Sequence, residues 1–280
     1  MPETPVKPPP TLPPRLPLKP PVAPPPVGTK AAKMFTSARP VGKAAFKIAI
    51  YGTGGVGKTS LAMSAPSPVK FFDLDDSLGM LPETQGVEII NGVQSWQELL
   101  DALRQNDLWT GVKTIVIDTA TKAEEMSLAH VTSVRGFQSI EDAGYGKGYK
   151  FHFENYLALF AELDRHNKAG RNTILICHDI TQKVPNPAGI DYIRWSPRLQ
   201  QNIADKMKEW CDHMFFVKYD FTEAATKEKG ALGPGKNSGG NTRTIYCVEE
   251  STFVAKSRTL RDPIPYVEGD VELWKQLFPK

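Results

Sequence analysis

One stretch of the sequence combines glycines, a lysine and hydroxyl residues at a spacing that suits a chain of phosphates. Residues 52–60 contain the pattern G-x-x-x-x-G-K-[ST] in full. Glycines let backbone N–H groups turn inward around the phosphates, Lys58 can reach the β and γ oxygens, and Thr59 can coordinate Mg²⁺. An apolar strand precedes the pattern, and the helix that follows directs its positive end at the same anion. The predicted ATP-binding residues are Gly52, Thr53, Gly54, Gly55, Val56, Gly57, Lys58, Thr59 and Ser60.

Acidic side chains follow two of the predicted strands. The buried run 114–117 ends in Asp118, at the carboxyl edge of the sheet, where a P-loop protein holds its Mg²⁺. The alternative is that Asp118 only caps a helix. Asp73, Asp75 and Asp76 follow another strand and would lie at the same edge, where one of them could orient an attacking water. Spacing alone leaves the choice among the three open.

Strands and helices alternate along most of the chain. This order predicts an α/β fold with a mostly parallel sheet, helices on both faces and antiparallel strands added at one edge. Ser95 and Glu98 form a capping box at the start of one helix, and Ser196 with Pro197 predicts the start of another. The predicted strands are 46–51, 69–74, 87–90, 114–118, 173–177, 213–219 and 243–256, and the predicted helices are 58–63, 95–103, 150–168 and 196–210.

The first 44 residues differ in composition from the rest of the chain. They contain more than half of the 24 prolines and seven Lys or Arg against one acidic residue, Glu3. Such a segment favours extended backbone and buries too little apolar surface to fold alone. We therefore predict a disordered, basic tail over 1–44 and a folded domain over 45–280. The tail is either a semi-rigid linker, or a docking segment for a proline-binding partner or an electrostatic arm.

The composition of the chain disfavours several classes of function. Without the tail the chain carries 27 basic and 30 acidic residues, so its overall charge does not favour nucleic-acid binding, and any such site needs a local cluster. No apolar run approaches the roughly 20 residues that span a bilayer, and the N-terminal region lacks the apolar core of a secretory signal. Cys177, Cys211 and Cys247 show no paired metal spacing and are interpreted as reduced thiols. We expect a cytoplasmic protein with no membrane partner.

Residues 46–268 resemble the RecA-like P-loop ATPases. Within them the chain is most similar to the small Sak-type single-strand annealing ATPases of phages, also described as phage nucleotide-binding proteins. The resemblance implies a RecA-like core, ATP hydrolysis with Mg²⁺ and a role in phage DNA recombination. The segments that carry it are the P-loop, Phe71–Asp76, Ile117–Thr119, Ile176–Asp179, Val254–Arg258 and Pro263–Pro265.

The resemblance also implies roles for single residues. Asp75 falls on the position of the family's catalytic glutamate and is one methylene shorter, which shortens its reach. His178 falls on the γ-phosphate sensor, usually a glutamine; the alternative is a histidine that merely ends a strand. Lys256 and Arg258 correspond to two cations that reach the ATP of the neighbouring subunit, and they alternate so that both can face one side of a strand. A solvated basic strand end is the alternative for this pair.

RecA-like recombinases bind DNA through two mobile loops, which would correspond to 132–150 and 181–198. Both segments mix cations, which pair with phosphates, with aromatic rings, which stack on unpaired bases. Acidic residues dilute the charge of both segments, and a protein interface is the alternative reading. The predicted DNA-binding residues are Arg135, Lys147, Tyr149, Lys150, Lys183, Arg194, Trp195 and Arg198.

The function predicted from these features is an ATP-hydrolysing protein, stimulated by DNA, that acts on single-stranded DNA in recombination or annealing. Sites shared between subunits would make it a head-to-tail homo-oligomer or filament. One alternative is a nucleotide-switched assembly protein with slow hydrolysis, whose tail is the functional arm. Another is a helicase or packaging motor, which the short chain disfavours. The sequence leaves open the oligomer symmetry and the choice between annealing and strand exchange.

Overall fold

A nine-stranded sheet forms the centre of the computed structural model, which describes residues 45–187, 189–223, 237–269 and 271–279. The proline-rich segment 1–44, predicted as a tail, lies outside the described residues. The strands are β1 Lys47–Gly52, β2 Val69–Asp73, β3 Val87–Ile89, β4 Thr114–Asp118, β5 Asn172–Cys177, β6 Asp179–Val184, β7 Tyr192–Pro197, β8 His213–Glu223, β9 Asn237–Tyr246, β10 Lys256–Ser257 and β11 Ile264–Tyr266. The helices are α1 Lys58–Met63, α2 Trp96–Arg104, α3 Ala120–Arg135, α4 Lys147–Lys168, α5 Gln201–Trp210 and α6 Glu272–Leu277.

Strand order confirms the predicted fold class. The main sheet runs β11-β9-β8-β1-β5-β4-β2-β3, with β10 paired to β8. The strands from β8 to β3 are parallel, whereas β9, β10 and β11 are antiparallel additions at the β8 side. The carboxyl ends of the parallel strands meet at one edge, so loops that follow β1, β2, β4 and β5 lie together there. We call this edge the carboxyl edge.

The sheet is buried on both faces, because successive side chains of a strand point to opposite sides. In β1, Ala49 and Tyr51 pack with the helices α2 to α5, while Ile48 and Ile50 pack with α1 and α6. All four are fully buried. Each large apolar side chain removed from water in this way contributes about 1.5–3 kcal/mol. The two cores hold the strand ends of the carboxyl edge in fixed register.

Local capping signals predict the start of α2 correctly. Glu98 N donates to Ser95 Oγ at 3.3 Å, and Ser95 N donates to Glu98 Oε2 at 2.9 Å. This capping box satisfies backbone donors that the first helical turn leaves free, and such a cap stabilises a helix by about 1 kcal/mol. The helix buries one apolar face, formed by Trp96, Leu99, Leu100 and Leu103.

The helix start predicted at Ser196 and Pro197 is wrong. These residues close β7, where Ser196 pairs with Ile180 and Pro197 pairs with Asp179 of β6. Helix α5 begins at Gln201 and ends where predicted. A proline is tolerated at the end of a strand, and the backbone pairing of the β6–β7 hairpin outweighs the local capping signal.

The single strand predicted over 243–256 is also wrong. Strand β9 ends at Tyr246, and the two-residue β10 begins at Lys256. Between them the chain leaves the sheet, and Val254 N donates to Trp195 O of β7 at 3.0 Å. The intervening segment therefore joins the β6–β7 hairpin to the main core.

In the described part of the chain, no helix combines the length and the apolar character of a membrane span.

Candidate nucleotide-binding site

The glycine-rich segment joins the end of β1 to the start of α1, in the strand–loop–helix context that the pattern requires. Gly57 precedes α1 with a left-handed φ of 93°. A Cβ atom there would lie 2.6 Å from Arg243 Nη1, and a Cβ at Gly52 would lie 2.1 Å from Val217 O. Both positions favour glycine, because Gly57 has a left-handed φ and a side chain at Gly52 would collide with the backbone of β8.

Lys58 is folded back over the loop that precedes it. Its Nζ donates hydrogen bonds to Gly52 O and Thr53 O, both at 2.8 Å, and the residue is only 6% exposed. Burial lowers the pKa of the Lys58 ammonium from its ordinary value, and the negative charge of Asp118 opposes that shift. The amine thus lies at the mouth of the loop, held by carbonyl oxygens that phosphate oxygens can replace as acceptors.

Thr59 and Asp118 face each other across the mouth of the loop. Thr59 Oγ1 donates to Asp118 Oδ2 at 2.7 Å, and Asp118 is 2% exposed. Burial raises the pKa of the Asp118 carboxyl to about 6, against the hydrogen bond from Thr59, and the charges of Asp73 and Asp75 add to the rise. Helix α3 is capped by the Thr119 side chain, so a capping role does not account for Asp118.

The oxygen donors of this pair fit Mg²⁺, which binds carboxylates together with phosphate oxygens and water. Among the described residues, no group of three or more His, Cys, Asp and Glu side chains could hold a metal ion. A cation at Thr59 and Asp118 would therefore take its remaining ligands from the nucleotide and water. This is the ligand set that the P-loop pattern predicts.

The structure distinguishes the three aspartates that follow β2. Asp73 accepts hydrogen bonds at 3.0 and 2.9 Å from the backbone N–H groups that open the next 3₁₀ turn. Asp76 has a left-handed φ of 53° and is exposed. Asp75 instead accepts a hydrogen bond from Thr119 Oγ1 at 2.9 Å, just beyond the end of β4. Asp75 is thus the one of the three aspartates whose carboxylate contacts the residue that follows Asp118.

His178 follows β5 and lies beside the same carboxylate. Its Nε2 is 3.5 Å from Asp75 Oδ2, and about a third of its side chain is exposed. Backbone contacts fix its position: its N–H donates to Thr121 Oγ1 at 3.2 Å, and its carbonyl accepts from Arg198 N at 2.8 Å. Asp75, predicted to orient the attacking water, and His178, predicted to sense the γ-phosphate, therefore lie next to each other.

The two predicted trans cations lie elsewhere, and the prediction that they alternate along one strand is wrong. Strand β10 pairs with the start of β8, at the edge opposite the P-loop. Lys256 Nζ donates to Lys208 O at 2.7 Å and Cys211 O at 2.8 Å, so it caps the end of α5 in its own subunit. Arg258 lies beyond the strand, is 62% exposed and pairs with Asp212 at 3.2 Å.

A row of donors that the sequence analysis missed contacts the outer side of the P-loop. Tyr219, Arg243 and Tyr266 come from the antiparallel strands β8, β9 and β11. The sequence separations run from 164 to 209 residues, so no local pattern could reveal these contacts. Tyr219 Oη donates to Gly55 O at 2.9 Å, Arg243 Nη1 donates to Val56 O at 3.1 Å, and Tyr266 Oη donates to Gly57 O at 2.8 Å.

Two adjoining hollows open at this edge. One, of about 220 Å³, is lined by the P-loop with Ser77, Leu81 and Glu268. The second, of about 140 Å³, continues past Ser60, Leu81 and Glu268 to Met63 and Pro82. A nucleotide with its phosphates on the P-loop can therefore extend its base into a partly apolar hollow.

A family model described as "AAA domain" matches residues 44–259. The chain belongs to the AAA domain family. This membership, with the geometry above, indicates a P-loop ATPase that binds and hydrolyses ATP, usually with Mg²⁺. No curated protein matches this AAA domain at a significant level. Its structure is similar to that of a KaiC-like protein from the archaeon Pyrococcus horikoshii OT3, with 13% identity, a TM-score of 0.40, and coverage of 79% of this chain and 84% of that one.

The first segment predicted as a mobile DNA loop, 132–150, comprises the end of α3, a connection over 136–146 that contains the 3₁₀ turn Ile140–Ala143, and the first turn of α4. Arg135 is the last residue of α3, and its guanidinium lies 3.6 Å from the centre of an aromatic ring of α4. Lys147, Tyr149 and Lys150 occupy the first turn of α4, which begins three residues earlier than predicted. All three are exposed, and Lys150 pairs with a glutamate one turn later at 3.8 Å.

The second segment, 181–198, is a paired β-hairpin rather than an irregular loop. Lys183 and Arg194 each form an ion pair with a carboxylate, at 2.9 and 3.1 Å. Trp195 is half-buried and stacks on the core with its ring centre 6.3 Å from that of a phenylalanine. Arg198 is exposed just beyond the hairpin. Five of the eight predicted DNA contacts therefore have structural partners within the chain.

Proposed function

We propose that this AAA domain hydrolyses ATP to ADP and phosphate at the mouth of the P-loop. The observation that carries the proposal is the convergence of Lys58, Thr59, Asp118, Asp75 and His178 at one edge of the sheet. The backbone N–H groups of the loop and the Lys58 ammonium bind the phosphates. Thr59 and Asp118 hold Mg²⁺, which offsets phosphate charge when it is bound.

In this proposal Asp75 orients the attacking water. The hydrogen bond from Thr119 Oγ1 fixes the direction of the Asp75 carboxylate. The ring of His178, 3.5 Å away, donates a hydrogen bond to the γ-phosphate and senses its presence. Because the sensor lies against the base, loss of the γ-phosphate changes the surroundings of both groups.

Single-stranded DNA is the partner that we propose for the ATPase, in phage recombination or annealing. Two features support it. The β6–β7 hairpin begins directly after His178, so a change at the γ-phosphate is one residue from the hairpin. The start of α4 carries the exposed Lys147 and Tyr149 beside Tyr145, which suits contacts to phosphates and unpaired bases.

Head-to-tail assembly is the arrangement that we propose for this function. Arg258 is mostly exposed at the edge opposite the P-loop. A heterologous stack would set that edge of one copy against the ATP edge of the next. A cation delivered there stabilises charge on the transferring phosphoryl group, as arginine fingers do. Lys256 is left out of this proposal, because its amine caps α5.

The test measures ATP hydrolysis by the full chain with and without single-stranded DNA, beside Lys58→Ala. We expect Mg²⁺-dependent hydrolysis that single strands stimulate and that Lys58→Ala loses. Hydrolysis that DNA does not change, with no DNA binding at low salt, would reject the DNA proposal. ATP binding and assembly without turnover would instead identify a nucleotide-switched assembly protein.

A mixing experiment tests the shared site. Lys58→Ala removes the P-loop cation, and Arg258→Ala removes the proposed trans cation. If Arg258 acts on a neighbour, the mixture contains interfaces with an intact P-loop and an intact arginine, and it recovers part of the activity. No recovery at any mixing ratio would argue against the shared site.

A further inference from the structure

Tyr219, Arg243 and Tyr266 form a straight row across three strands. Tyr219 of β8 lies directly opposite Arg243 of β9, and Arg243 lies directly opposite Tyr266 of β11. Residues directly opposite each other in antiparallel strands share a face of the sheet. The row therefore presents two phenols with a guanidinium between them to one side, where the P-loop runs.

The order of this row matches the order of the loop. Its three members donate, in turn, to the carbonyl oxygens of residues 55, 56 and 57. A trans peptide is planar, and its C=O and N–H groups point in opposite directions. Drawing the carbonyls of Val56 and Gly57 toward the strands therefore turns the N–H groups of Gly57 and Lys58 the other way, toward the phosphate side of the loop.

The row is itself held in place. Arg243 is 12% exposed at its side chain, its guanidinium lies 4.7 Å from the Tyr266 ring centre, and it pairs with Glu268 at 3.5 Å. Glu268 also accepts a hydrogen bond from Ser60 Oγ of α1 at 2.9 Å. Burial raises the pKa of Tyr266 to about 12, so its hydroxyl keeps its proton and remains a donor at neutral pH. A fixed row can impose a conformation on a loop that has glycine at four of the six positions from 52 to 57.

We infer that Tyr219, Arg243 and Tyr266 are positioning residues that hold the P-loop in its phosphate-binding conformation, so that the antiparallel edge of the sheet sets nucleotide affinity. The inference rests on the proposed nucleotide site. A loop ordered before binding does not lose that conformational freedom when phosphate arrives. Each lost hydrogen bond is expected to weaken binding about three- to tenfold.

The binding test uses full-length Tyr219→Phe, Tyr266→Phe and the double variant, with Mg²⁺ and methylanthraniloyl-ADP as the fluorescent probe. The matched control is Tyr246→Phe on β9, whose ring packs on Phe253 away from the P-loop. We expect Kd to rise about three- to tenfold in each single variant and further in the double variant. We also expect KM for ATP to rise with kcat unchanged, because the loop binds phosphates in ground and transition states alike.

A second readout does not depend on nucleotide. In the nucleotide-free chain, hydrogen exchange of peptides covering 53–61 should quicken in the variants, while peptides covering 172–177 in β5 exchange as in wild type. Unchanged loop exchange, or unchanged Kd in variants that fold normally, would overturn the inference. A wild-type chain that fails to bind the probe would reject the nucleotide site instead, and the exchange result would still decide whether the row orders the loop.

Discussion

Thr59 donates its hydroxyl hydrogen to Asp118 Oδ2 over 2.7 Å, so the N-terminal turn of α1 and the end of β4 are joined at the mouth of the P-loop. The oxygens of both side chains converge on the position where a P-loop protein holds Mg²⁺. The carboxylate has the charge that this ion needs, whereas the hydroxyl contributes a neutral ligand. From this contact we make one prediction for ATP hydrolysis and one for the stability of the folded protein.

For the reaction, Asp118→Asn should lower ATP hydrolysis by about 100-fold or more at saturating Mg²⁺, because transition-state charge stabilisation by a metal is worth several kcal/mol. The measurement is the rate as a function of Mg²⁺ concentration. Asp76→Asn, at an exposed position beyond β2, is the control and should match wild type. A wild-type rate in Asp118→Asn would remove this carboxylate from the metal site.

For stability, the prediction concerns pH. Burial raises the folded-state pKa of Asp118 to about 6, above the 3.9 or so of an unfolded aspartate. Between these values the native state binds more protons than the unfolded state, so the free energy of unfolding falls as pH rises through this window, by at most about 3 kcal/mol. Asp118→Asn does not lose stability in this way, because its side chain does not titrate. Without nucleotide, urea unfolding should show a higher free energy of unfolding for the variant than for wild type at pH 7.5, and equal values at pH 4. An equal difference at both pH values would contradict the prediction.

The choice among the three aspartates after β2 gives a kinetic prediction. Asp75→Asn should lower kcat about 10²- to 10⁴-fold, the usual contribution of a positioned general base, and change KM for ATP little. Asp73→Asn should act on stability instead, because Asp73 accepts backbone hydrogen bonds that open a 3₁₀ turn. Steady-state kinetics beside urea unfolding separates the two effects. A larger loss of kcat in Asp73→Asn than in Asp75→Asn would reverse the assignment.

The range of the contacts explains which features the sequence could predict. The P-loop and the Ser95 capping box depend on residues within a few positions of each other, so their patterns predict their structures. The start of α5 is different, because Ser196 and Pro197 have a good local signal that the pairing of β6 with β7 overrides. Arg243 contacts Val56 across 187 positions, and only the assembled sheet brings them together. Sequence patterns over a few residues therefore predict the P-loop, whereas the contacts that support it depend on how distant strands pair in the folded sheet.

The contacts of Lys256 with the end of α5 are another feature that the sequence did not predict, and they lead to a prediction for stability. Its Nζ lies among the last carbonyls of α5, where a cation interacts favourably with the helix dipole. Lys256→Met should therefore lower the free energy of unfolding by about 1–2 kcal/mol. Lys206→Met, on the same helix with a side chain 42% exposed, is the control and should change it by less than about 0.5 kcal/mol. Equal stability of the two variants in urea would contradict the capping role.

The start of α4 provides the sharpest test of DNA binding, because its side chains are exposed while Lys183 and Arg194 of the hairpin are engaged with carboxylates. Lys147→Ala should weaken binding to all single-stranded sequences and reduce the salt slope by about 0.7, the contribution of one phosphate contact. Lys275→Ala on α6 is the control for loss of an exposed charge. The measurement is fluorescence anisotropy of labelled oligothymidine over a series of salt concentrations. If Lys147→Ala keeps the wild-type slope, the DNA surface is not at the start of α4.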